Sequence, residues 1–202
     1  MPFIARIALP RALVCLLFVF ATTQALAIDH IVIKQGDAQR AVAGQVLETT
    51  VDGALMLESP DGSMWFVEAA NLVSRTSDET PFASYTQAEL AKRLLEELPP
   101  GFETFSTQNF LICHNTSKAY AQWCGALFEQ LHRAFTNYWT RKGFDLQKPE
   151  FPMVAIVFAD KQSYAAFARP ELGDASEAII GYYSLQTNRM TMYDLTGVES
   201  LR

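Results

Sequence analysis

Apolar and polar positions change their period several times along this chain, and each change marks an element. From His30 to Lys34 (HIVIK) they alternate in steps of two, the spacing of a strand with one buried face. Gly36-Asp37 then signals a turn, and a second strand is expected over 41–49 (AVAGQVLET) with Gly44 as its bulge. Asp52-Gly53 and Asp61-Gly62 are hairpin signals leading into ALMLES (54–59) and SMWFVE (63–68), and NLVS (71–74) closes the set. Five short strands joined by tight turns predict a small SH3-like β-barrel domain over residues 28–75. So short a unit buries little apolar surface, so it is expected to lean on the next segment of the chain.

Residues 76–101 read as a linker and a helix. TSDETPFASY (76–85) is polar, and Thr86-Gln87-Ala88-Glu89 has the spacing of a capping box. The helix it opens carries Leu90, Leu94, Leu95 and Leu98 on one face, and Pro99-Pro100-Gly101 stops it. FETFS and NFLICH then form a strand pair around Thr107-Gln108. Over 117–139, Tyr120, Trp123, Leu127, Phe128, Leu131, Phe135 and Tyr138 recur at three- and four-residue steps. This stripe predicts a long helix whose aromatic face is core, packed on a sheet.

PMVAIVFA (152–159) is apolar throughout, as a strand buried on both faces requires. Asp160 caps a short helix through Ala168, which Pro170 is expected to stop. AIIGYYS (178–184) and RMTMYD (189–194) form an antiparallel hairpin, with Met190 and Met192 on one face of the last strand and Arg189, Thr191 and Tyr193 on the other. The sequence of elements predicts an α+β class, with 102–202 as one α+β domain.

The N-terminus changes the picture of where this protein works. Arg6 and Arg11 precede an apolar run from Ala12 to Ala21, and Ala25-Leu26-Ala27 has the small-x-small form of a cleavage site. The run is well short of the ~20 residues a membrane helix needs. Residues 1–27 are therefore expected to be a cleaved signal peptide, with an uncleaved anchor as the alternative. The mature protein would be exported to the periplasm or cell envelope, or secreted, with no stable membrane span. Its 14 basic against 22 acidic residues, with no basic patch, argue against nucleic acid as a partner. Cys113 and Cys124 would then meet an oxidising compartment, and both a disulfide and two buried free thiols suit their positions.

Recognisable catalytic chemistry is absent. His30, His114 and His132 are the histidines, and none begins an HExxH, which would set two imidazoles on one helical face with a Glu as base. Glu129 and His132 form an i, i+3 pair, yet no second pair or further inward carboxylates accompany it. No G-x-S-x-G, P-loop or G-x-G-x-x-G occurs. Neither a catalytic residue, a cofactor nor a metal site is expected within the chain.

Three segments nevertheless carry a resemblance: TSKAYAQWCGALFEQLHRAFTNYW (116–139), FPMVAIVFADKQSYAAFA (151–168) and IIGYYSLQTNRMTMYDLTG (179–197). Over nearly all of 28–202 the chain resembles exported bacterial proteins with the domain called domain of unknown function 1570, which are similar to gluzincin-type zinc metallopeptidases. The resemblance implies a zincin-like N-terminal lobe and zinc in the complete protein. It implies a peptide or protein substrate. In that family the HExxH helix comes after the segment matched by Tyr193 to Gly197, so the chain is expected to be an N-terminal fragment without the catalytic motif. Such enzymes hold extended substrate on a sheet edge. The strand carrying Arg189, Thr191 and Tyr193 is the candidate edge, an ordinary structural hairpin being the alternative. A non-catalytic envelope binding module is the competing function.

Overall fold

The structure, a computed structural model, describes residues 27–196. The expected signal up to Leu26 and the last residues, Gly197 to Arg202, lie outside the described residues.

The first unit contains β1 (Ala27–Gln35), β2 (Ala38–Thr49), β3 (Leu55–Glu58), β4 (Met64–Val67) and β5 (Leu72–Pro81). They form one antiparallel sheet in the order β4-β3-β2-β1-β5. Alternation works as the period of two requires, and Ile31, Ile33, Val42, Leu55, Leu57 and Val67 gather on one face as a small core. The sheet is open rather than a closed barrel. β5 pairs with β1, which leaves β4 and β5 as the two edges.

The expected linker also differs. Residues 76–81 belong to β5, whose side chains are almost all exposed. An edge strand needs only one ladder and can be polar throughout, so composition made it look like loop. Gly44 is not the bulge, because the register between β2 and β3 shifts between Val46 and Glu48. What Gly44 permits is close approach: a Cβ there would lie 2.2 Å from the Glu58 carbonyl oxygen.

The second unit contains α1 (Gln87–Glu97), β6 (Glu103–Ser106), β7 (Phe110–His114), α2 (Lys118–Arg141), β8 (Met153–Phe158), α3 (Lys161–Leu172), β9 (Gly181–Ser184) and β10 (Arg189–Tyr193). Its sheet runs β6-β7-β8-β10-β9. β7, β8 and β10 are parallel, and the two edges are antiparallel to their neighbours. With two sheets and three α-helices among the described residues, the protein is mixed α+β. None of the described helices is long and apolar enough to cross a membrane.

One face of this sheet is fully dressed. α1 and α3 bring Leu90, Leu94, Leu98, Tyr164 and Ala168 against Leu111, Cys113, Ile156, Phe158 and Tyr193. The Thr86–Glu89 capping box that starts α1 is formed in both directions. Leu95, expected on the same face, is turned outward. Asp160 caps α3, but Pro170 does not stop it. The ring deprives only the Ala166 carbonyl of its bond, and the helix runs on to Leu172 before Gly173, at φ 59°, ends it.

Gly44→Ala should destabilise the chain by about 2–4 kcal/mol, because the contact is with backbone and cannot be relieved by a rotamer. Urea unfolding of the two proteins at neutral pH checks this, and an unchanged midpoint would show that β2 and β3 can part at no cost.

Candidate functional site

The opposite face of the second sheet is covered over only part of its width. α2 packs on β6 and β7 through its smallest residues, since Ala121, Cys124 and Gly125 are the buried ones. A Cβ at Gly125 would sit 2.9 Å from the Thr107 methyl and 3.0 Å from the Phe105 ring, so the helix lies about as near the sheet as it can. The aromatic stripe expected to be core is therefore mostly not core: Leu131 is 56% exposed and Phe135 57% exposed, and Trp123 and Tyr138 are similar. Close approach by the small residues leaves the large ones on the flanks of the helix.

Part of that flank, Phe128, Leu131 and Phe135, lines a groove of about 710 Å³. Phe110, Phe128, Leu131 and Phe135 form one wall, Ala155 and Met190 the floor, and Leu146 with Pro149–Met153 the other wall. Phe110 and Phe128 meet at 5.5 Å between ring centroids. Tyr183 of β9, 51% exposed, closes the groove at the sheet edge, where its hydroxyl is hydrogen-bonded to Asn188. His132 and Glu150 are polar groups among the lining. Among the described residues β9 pairs with β10 alone, so an antiparallel edge without a second partner there runs beside the groove.

The residues singled out in the sequence occupy other roles. β10 is not an edge, being flanked by β8 and β9. Arg189, Thr191 and Tyr193 share a face as alternation requires, but that face is the one under α1 and α3, where all three are buried. The hairpin connects to the edge through its other strand. Cys113 and Cys124 are both free and buried, on opposite faces of the sheet, which explains why they do not bridge. Burial pushes the Cys113 thiol up to about 12 and the Cys124 thiol up to about 11.

The histidines stand apart. His30 meets Asp78 on the first sheet at 2.9 Å, His114 is buried with Nδ1 3.1 Å from the Thr116 carbonyl oxygen, and His132 packs edge-on to Phe110. Glu129 is not partnered with His132 as a ligand pair. It accepts hydrogen bonds from the Thr107 hydroxyl and from the backbone and side-chain N–H groups of Asn109, each at 2.7 Å, and so ties the β6–β7 turn to α2. Burial works to raise its carboxyl, but these bonds hold it below the ordinary value. Among the described residues no group of three or more His, Cys, Asp or Glu side chains is placed to hold a metal ion.

A second polar cluster governs the exit from β10. The Asp194 backbone N–H donates to the Phe158 carbonyl at 2.8 Å, and its carboxylate accepts from the Thr116 hydroxyl and from Thr196. Burial opposes its ionisation, yet those bonds keep its carboxyl below the usual range. The Leu195 N–H donates to the Tyr120 hydroxyl at 3.4 Å. The chain leaving β10 is thus tied to the first turn of α2, while the Leu195 side chain packs with the core under α1 and α3.

Sequence reasoning missed the groove because it assigned the aromatic stripe to the core. The signal that could have revealed it is the second, small-residue stripe of Ala121, Cys124 and Gly125 at the same helical spacing. No protein-family model, curated protein or solved structure matches the chain.

Glu129→Gln should cost about 1–2 kcal/mol at neutral pH, since it removes the charge from three hydrogen bonds. A depressed carboxyl contributes stability that is present above its unfolded value, ~4.3, and is lost as pH falls through the folded value. The gap between the urea midpoints of wild type and variant should therefore close below about pH 4; a gap constant down to pH 3 would refute the assignment.

For the thiols, raised values leave roughly a thousandth or less as thiolate at pH 8. Native protein starting at Ile28 should react with iodoacetamide far more slowly than unfolded protein, which should take up two labels without reductant. A mass lower by two hydrogens and no labelling would show a bridge.

Proposed function

We propose that this chain is the N-terminal part of an exported zinc metallopeptidase-like protein, whose role is to present an extended peptide along β9. The observation that carries the reading is the pairing of a free antiparallel strand edge with a half-covered, apolar sheet face. An extended peptide added to β9 gains main-chain hydrogen bonds, and alternate side chains gain an apolar surface. Tyr183 and Met190 are the residues of the sheet nearest to it, with the Phe128–Phe135 side of α2 beyond. The expected edge role thus passes from Arg189, Thr191 and Tyr193 on β10 to β9.

The resemblance over 116–139, 151–168 and 179–197 supports the same reading. Zinc belongs to the proposal only for the complete protein. The histidines and cysteines among the described residues are spread over β1, β7 and α2, and they do not form a ligand set. Such a set needs about three or four converging donors. What this part supplies is binding and orientation, the requirement that any attack on a peptide carbonyl imposes.

The complete reading frame decides the matter. Its product should contain an HExxH within roughly a hundred residues after Arg202, hold one zinc per chain, and cleave an unfolded protein substrate until a chelator is added. A frame that continues or closes without that motif, or a zinc-free and inactive product, would overturn the proposal in favour of a non-catalytic envelope module.

A further inference from the structure

The turn between β3 and β4 is built into the second unit rather than left in solvent. The Pro60 carbonyl accepts from the Tyr85 N–H at 2.8 Å, and Gly62, at φ 81°, lies so close to Phe151 that a Cβ would be 3.2 Å from its ring. The Met64 N–H donates to the Gln186 carbonyl at 2.7 Å, inside the β9–β10 turn. At the centre, Asp61 Oδ2 accepts from Arg189 Nη2 at 2.8 Å while Arg189 Nη1 donates to Glu97 Oε2 at 3.0 Å.

Arg189 is the first residue of β10 and pairs with Ser184, the last of β9. Its side chain is 9% exposed, against 20% for Asp61 and 55% for Glu97, and its Nε is buried with no partner. Glu97 stands largely in water and screens the guanidinium weakly, so Asp61 is the carboxylate that makes its burial tolerable. A buried guanidinium that loses its chief counter-charge is strongly unfavourable, and the route to relief is to swing toward solvent. That movement displaces the pair that closes the hairpin, and among the described residues β9 has no second neighbour to retain it.

We infer that the β3–β4 turn is a latch: docking of the first sheet through Asp61 holds the β9–β10 hairpin in order, and undocking loosens that hairpin. The device goes beyond the peptide reading and stands whether or not a peptide is what β9 pairs with. It makes the order of one sheet's edge depend on the seating of the other sheet.

Hydrogen exchange of the exported chain, read by mass spectrometry, tests it. Asp61→Asn should speed exchange over 181–189 roughly ten-fold and leave 103–106, the opposite edge, unchanged. Arg189→Met removes the buried charge while keeping apolar volume. It should expose residues 60–64 yet leave 181–189 protected, and adding Asp61→Asn to it should change 181–189 no further. Equal acceleration at both edges, no acceleration in Asp61→Asn, or an undiminished effect of Asp61→Asn in the Arg189→Met background would overturn the latch. Should Asp61→Asn fail to fold, Arg189→Met alone decides by whether 181–189 stays protected while 60–64 opens.

Discussion

A sheet whose inner strands are parallel has to be covered on both faces, because both carry apolar side chains. That constraint governs the second unit. β8 is buried almost throughout, with Val154, Ile156 and Phe158 toward α1 and α3 and Ala155 and Val157 toward the other side. The first face is satisfied. On the second, α2 is seated over β6 and β7 by Ala121, Cys124 and Gly125, and the remaining width meets only the flank of that helix. The groove, the exposed aromatics and the accessible edge at β9 all arise from one helix lying close to half a face.

Charged and polar residues do their work at joints. Glu129 gathers three hydrogen bonds from the β6–β7 turn, Asp194 ties the end of β10 to α2, and Asp61 with Glu97 surrounds Arg189 where the two sheets meet. Each carboxylate accepts from donors on a different element, and removing any one leaves donors inside without partners. In a list of titratable residues these look like candidates for chemistry. In three dimensions they are fastenings, and the apolar groove lies apart from them.

This division bears on the proposed peptidase reading. A binding groove and a strand edge can be supplied by one part of a protein while the reacting groups come from another, since orientation and bond-breaking place different demands on a site. In the proposed reading the first demand would fall to β9, Tyr183 and Met190.

The sequence by itself determined the elements and the class. Alternation and turn signals located most strands of both sheets, the Thr86–Glu89 box and Asp160 started two helices, and the unbroken apolar run at 152–159 marked a strand buried on both faces, because these are short-range properties carried by neighbours in the chain. It did not reveal that residues 76–81 are strand, since a polar edge strand has no apolar period to read. Nor did it distinguish an edge from a centre, as β9 and β10 have equally good strand patterns and only their pairing with β8 separates them. The same limit applied to Cys113 and Cys124, whose nearness along the chain said nothing of the sheet between them. Tertiary structure decided the site: a helix with both an aromatic and a small-residue stripe can pack by either, and the steric fit of Gly125 against Phe105 and Thr107 selects the small one and leaves the aromatic one to form a groove.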